Sequence, residues 1–159
     1  MKKVPITKAG FEKLKKELEY LKSVAVPENV RDIEVARAQG DISENAEYTA
    51  AKERQSFIHG KIQELENNLA TSEIIALKNL STDKVVFGVS VIIEDATGKG
   101  ITYQLVGPHE SDIALNKISV TSPIGKALVG KSVGDTARVN APGGVREFDV
   151  IDIFITEEE

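Results

Sequence analysis

The sequence predicts an α+β protein, with an N-terminal antiparallel helical hairpin over residues 1–78 and a sheet domain over residues 79–159. Two observations carry this. The first half repeats apolar residues at three- and four-residue steps, whereas the second half shifts to short runs with strand composition separated by glycine-rich turns. A third, an acidic connection between the two helical segments, marks where the chain reverses.

The first helix begins after Thr7, a residue suited to capping free backbone N–H groups. Phe11, Leu14, Leu18, Leu21 and Ala25 then alternate at three and four residues. Pro27 lacks a donor and biases Val26 away from helical geometry, so a kink or restart is expected there. Val26, Val30 and Ile33 continue the stripe in a shifted register until Gly40 stops it. In the second helix Tyr48, Ala51, Gln55, Ile58, Ile62, Leu65, Leu69 and Ser72 form an uninterrupted seam. Gly60 lies off it. Two long helices joined by a few residues must run antiparallel. About 28 residues at roughly 1.5 Å each give a rod on the order of 40 Å.

In the second half, residues 85–93, 101–106, 117–120, 136–139 and 147–155 read as strands of an antiparallel sheet. Thr97-Gly98-Lys99-Gly100 and Ala141-Pro142-Gly143-Gly144 supply turns. One short helix is expected between, capped by Ser122, begun by Pro123 and ended by Gly130. Glu157-Glu158-Glu159 reads as a solvated tail.

Composition removes several functions. There is no cysteine, which excludes disulfides, thiolate metal sites and cysteine nucleophiles. His59 and His109 lie in different halves without ligand spacing, which argues against zinc. No run nears the roughly 18 apolar residues of a membrane span, and no signal peptide is evident, so no membrane partner and a cytoplasmic location are expected. The net charge of −5 falls entirely in the second half; residues 1–78 hold 13 basic and 13 acidic side chains. Such a chain is a poor direct binder of duplex nucleic acid.

The segment Gly40-Asp41-Ile42-Ser43-Glu44-Asn45-Ala46-Glu47-Tyr48 carries the chemistry. On general preferences it is structural: Asp41 with Glu44 resembles a capping box, and acidic residues in a first turn complement the helix dipole. Yet a long rod ending in carboxylates is also shaped to reach. Two carboxylates suit a Mg²⁺ ion but leave its shell incomplete, so such a tip needs ligands from a partner. Arg37, Lys52 and Arg54 stand behind the tip, able to meet a nucleic-acid strand or merely to solvate the helices.

That segment, with Ala50-Ala51-Lys52-Glu53 after it, resembles the hallmark of bacterial transcript-cleavage factors of the GreA type, the Gre family. The resemblance extends over the chain through Ile6-Thr7, Leu14 to Leu21, Gly88, Ser122 to Leu128, Gly130-Lys131 and Pro142-Gly143-Gly144. Position 42 is Ile where Leu is commoner. The resemblance implies a coiled-coil hairpin followed by an FKBP-like domain that docks on bacterial RNA polymerase. The coiled coil would enter the secondary channel. Asp41 and Glu44 match the family's catalytic acids, which help hold a Mg²⁺ ion shared with the polymerase and orient a water. The polymerase then cleaves the nascent RNA 3′ end of a backtracked complex. Ser122 and Pro123 match the docking segment, and Arg37 and Lys52 the basic contacts to RNA. The factor would be an accessory and not itself an enzyme, with no stable small-molecule ligand. Two rivals share these scaffolds. A prolyl isomerase would need an aromatic pocket, for which Phe87, Tyr103, Phe148 and Phe154 all sit at strand positions. A channel-plugging inhibitor would need an altered tip, and this one keeps both acids.

Overall fold

The computed structural model describes residues 2–41 and 44–156, so Met1, Ile42, Ser43 and the Glu157-Glu158-Glu159 tail lie outside the described residues. Two compact units emerge: Met1–Phe11 with Ser72–Glu159, and Glu12–Thr71. A boundary at 78/79 falls inside the first of them.

Thr7 caps the first helix as expected, its Oγ1 accepting from the Gly10 N–H at 3.0 Å. Helix α1 spans Lys8–Tyr20, a π-helical turn Leu21–Ala25, and helix α2 Val26–Ala38. A new α-helix does start at Val26, with Pro27 in its first turn, while the backbone stays right-handed helical through Ala25 and Val26. The break lies in the turn before it, which widens, with the Val26 N–H reaching five residues back to the Leu21 carbonyl. A π turn inserts one residue and rotates everything after it by roughly 100°. The buried stripe accordingly continues through Ala25, Asn29, half-buried Ile33 and Ala36, one position beyond a plain heptad. Val26 is half-buried as expected, but Val30 is 43 % exposed.

Helix α3, Ala46–Thr71, follows its predicted seam from Tyr48 to Leu69, and Ser72, the last predicted position, lies just beyond its end. Ala51, Ile58 and Leu65 are buried, and Tyr48, Gln55, Ile62, Leu69 and Ser72 half-buried. Three links fix α2 and its π turn antiparallel to α3. Lys22 meets Glu66 at 3.6 Å, Asn29 Nδ2 donates to the Ala51 carbonyl at 3.0 Å, and Asn45 Nδ2 to the Ala36 carbonyl at 2.6 Å. The exposed ion pair adds little stability. The buried Asn29 amide matters more, because a polar group inside an apolar seam is satisfied in one register only.

Two short strands escape the sequence. Strand β1, Val4–Ile6, pairs in parallel with β2, Ser72–Ile74. Glu110 ties this pair to the rest of its unit, its carboxylate accepting from the Thr7 N–H at 2.7 Å, the Thr7 hydroxyl and the Gly107 N–H at 3.1 Å.

The main sheet contains β3 (Ser90–Glu94), β4 (Gly100–Val106), β5 (Lys117–Ser119), β6 (Thr136–Ala141) and β7 (Gly144–Phe154), ordered β5-β4-β3-β7-β6. Three ladders are antiparallel, but β4 and β5 pair in parallel, making the sheet mixed rather than wholly antiparallel. A short 3₁₀ turn, Ile113–Leu115, lies in the β4–β5 connection. The predicted strand over 85–93 starts only at Ser90, because Gly88 adopts φ +93° in a turn before it. The β3–β4 turn is organised by Asp95, whose carboxyl is held below the usual range by the Thr97 hydroxyl and then the Lys99 N–H. Helix α4, Pro123–Leu128, packs on the sheet with Leu128 fully buried among Val89, Val91, Ile93 and Leu105. The architecture is α+β, a helical hairpin and a curled mixed sheet.

Candidate site at the hairpin tip

Helix α2 closes with the Gln39 N–H on the Ala36 carbonyl at 3.3 Å, and Gly40 follows at φ +153°. Asp41 and Glu44 come next, and the Glu44 N–H donates to the Asp41 carbonyl at 3.4 Å. Both side chains are exposed. They line one concavity with Gln39, Gly40, Asn45, Ala46 and Glu47.

The capping residue of α3 is Asn45, whose Oδ1 accepts from the Tyr48 N–H at 3.0 Å. That is the cap-to-third-residue bond of a helix start, and it displaces the reading of Asp41 and Glu44 as a capping box for this helix. The signal was present in the sequence, since Asn ranks with Asp as a cap and precedes the first periodic residue Tyr48 by three. Glu47 lies in the first turn, where it complements the dipole.

Of the basic residues, Arg37 is exposed in the last turn of α2. Lys52 is exposed and donates from Nζ to Gln55 Oε1 at 2.7 Å. Arg54 borders a different groove of about 410 Å³ between α2 and α3, with Asp32, Val35, Ala36, Glu47, Ala50 and Ala51. Ser122 and Pro123 belong to the other unit. Ser122 Oγ donates to the Ser119 carbonyl at 2.6 Å and accepts from the Gly125 N–H at 3.1 Å, capping α4 as predicted. Pro123 is exposed at its first position.

Among the described residues no three His, Asp or Glu side chains gather into a metal site. The tip carboxylates fit a Mg²⁺ ion as two exposed oxygen donors of an otherwise externally completed shell, which is how magnesium commonly sits between protein and phosphates.

A family model described as "Transcription elongation factor, N-terminal" matches residues 4–74. One described as "Transcription elongation factor, GreA/GreB, C-term" matches residues 80–154. The transcription elongation factor GreA of Syntrophus aciditrophicus is 68 % identical, covering 100 % of this chain and 99 % of that one. The GreA of Neisseria meningitidis serogroup A is 54 % identical over 96 % of this chain and 98 % of its own. Among solved structures, Thermus aquaticus Gfh1 is 32 % identical over 97 % of this chain and 99 % of that chain, with a TM-score of 0.45. With both family models and full-length relatives in agreement, the chain belongs to the GreA/GreB family of transcription elongation factors.

Proposed function

We propose that this chain enters the secondary channel of bacterial RNA polymerase and stimulates that enzyme's own Mg²⁺-dependent cleavage of backtracked RNA. The carrying observation is the tip: two exposed carboxylates on a short connection whose helix-capping duty is performed by a neighbour, Asn45. Asp41 and Glu44 would hold a Mg²⁺ ion together with polymerase ligands and orient the attacking water. Bound there, the ion supplies Lewis-acid stabilisation of the attacking and leaving oxygens. Arg37 and Lys52 would steady the extruded RNA 3′ end by contacts to its phosphates. Such an accessory works in the cytoplasm, where the polymerase is.

The test is a stalled, backtracked elongation complex incubated with the protein and Mg²⁺, which should yield RNA shortened from its 3′ end. RNA left full length would refute the proposal. The pure protein with Mg²⁺ should leave free RNA intact, because two carboxylates leave most of the coordination shell unfilled. Nuclease activity that co-purifies with the chain would show instead that it is itself the enzyme.

Docking is assigned to Ser122 and Pro123. Pro123 is exposed, and its replacement by Glu leaves the Ser122 cap and suits a helix's first turn. Pro123→Glu should therefore melt with the wild type yet compete poorly for polymerase. Undiminished competition would move the docking surface elsewhere.

A further inference from the structure

We propose that Asn45 is a positioning residue that holds Asp41 and Glu44 in place by fastening the end of α2 to the start of α3 with a single side chain. This rests on the reading of Asp41 and Glu44 given above. Asn45 Oδ1 accepts from the Tyr48 N–H at 3.0 Å, which fixes the start of α3. Its Nδ2 donates to the Ala36 carbonyl at 2.6 Å, which fixes the end of α2. Only one amide orientation satisfies both, since an N–H needs an acceptor and a carbonyl needs a donor. Asp41 lies five residues beyond Ala36, and Glu44 directly precedes Asn45, so both carboxylates fall within the span this side chain closes.

The anchor points are firm. Ala36 is 3 % exposed, and its carbonyl also accepts from the Gln39 N–H. Gly40, at φ +153°, follows the end of α2 and adds no stiffness of its own. A pair of ligands contributes its full binding only when the competent arrangement is already populated; otherwise apparent affinity falls by the populated fraction. The primary amide suits this because its acceptor and its donor stand on separate atoms, which can face the two ends of the connection at once. An Asn45→Asp change would keep the capping oxygen, but a second acceptor would then face the Ala36 carbonyl with no proton between. Ser would also cap, without reaching across.

The experiment compares full-length wild type, Asn45→Asp and Asn45→Ser by melting, amide hydrogen exchange and cleavage in a backtracked complex at varied Mg²⁺. Both variants keep a cap, so melting should shift little. Amides of Gln39, Gly40, Asp41 and Glu44 should exchange faster by about tenfold, while those in the body of α3 do not change. Cleavage should fall by about tenfold to a hundredfold, as misplacement of a catalytic group does, and recover partly at high Mg²⁺. Competition for polymerase should be unaffected. Unchanged exchange in both variants overturns the clamp, whatever the polymerase assay reads. Faster exchange with unaltered cleavage and Mg²⁺ demand overturns the positioning role. If wild type itself stimulates no cleavage, the functional reading fails and the positioning role with it, while the exchange data still judge the clamp.

Discussion

Asp41→Asn is expected to lower transcript cleavage by about one to three orders of magnitude, since each 1.36 kcal/mol of lost transition-state stabilisation is about tenfold. The substitution keeps side-chain shape and removes one anionic oxygen donor at the hairpin tip. Stability should change little, because Asn keeps an accepting oxygen in the same place and the α3 cap is supplied by Asn45. Glu44→Gln should behave alike: its side chain is exposed, and the backbone bond from the Glu44 N–H to the Asp41 carbonyl is untouched. Both variants should still occupy polymerase and block the wild type, which separates lost chemistry from lost docking. Cleavage rates, melting temperature and competition are the three measurements. Full cleavage by either variant at unchanged stability would return the tip to a purely structural role.

The second large effect is on stability. At Gly125 in α4, an added Cβ would stand 2.1 Å from the Ser119 carbonyl oxygen and 3.0 Å from both its carbon and Ser122 Oγ. The nearest obstacle is backbone, so no rotamer change relieves it. Gly125→Ala should cost about 2–3 kcal/mol, as overpacking does, and lower the melting temperature by roughly 5–10 °C. Because the strain falls beneath Ser122 and Pro123, polymerase competition should weaken as well. Gly60→Ala is the control: in α3 nothing lies within 4 Å of its added Cβ, and a helical glycine replaced by alanine gains about 0.5–1 kcal/mol. Equal melting of the two variants would deny that α4 and the Ser119 backbone are in close contact.

The α3 seam was legible because seven positions, Tyr48 to Leu69, alternate at three and four residues and all seven are buried or half-buried. The α1–α2 stripe was legible as far as Ala25 and again at Ile33. Beyond Ala25 the π turn adds a residue, and the next seam position is Asn29, a polar side chain that no apolar pattern registers. Strands β1 and β2 hold three residues each and pair across the length of the hairpin, so local pattern had nothing to grip. In residues 85–93 the apolar run concealed a turn, although Gly88 in its middle was a sign of one. Helix α4 was read correctly from Ser122, Pro123 and Gly130, because caps and breakers act locally. At the tip the capping-box reading of Asp41 and Glu44 was one of two open in the sequence, since two acidic residues three apart imitate one. Asn45 took that duty and its other bond, to Ala36, spans nine residues and has no local signature.

The β1–β2 pairing also constrains the order in which the chain can fold. Val4 lies opposite Ser72. Closing a flexible segment of that length costs on the order of 4 kcal/mol, more than a three-residue strand pair returns. The intervening helices must therefore zip up first, through neighbours close in sequence near the tip, and so turn a long floppy closure into a short one. β1 is the last recruit, sealed by the Thr7 and Gly107 bonds to Glu110. The helical hairpin is thereby also the clamp that shortens the closure of the β1–β2 pair.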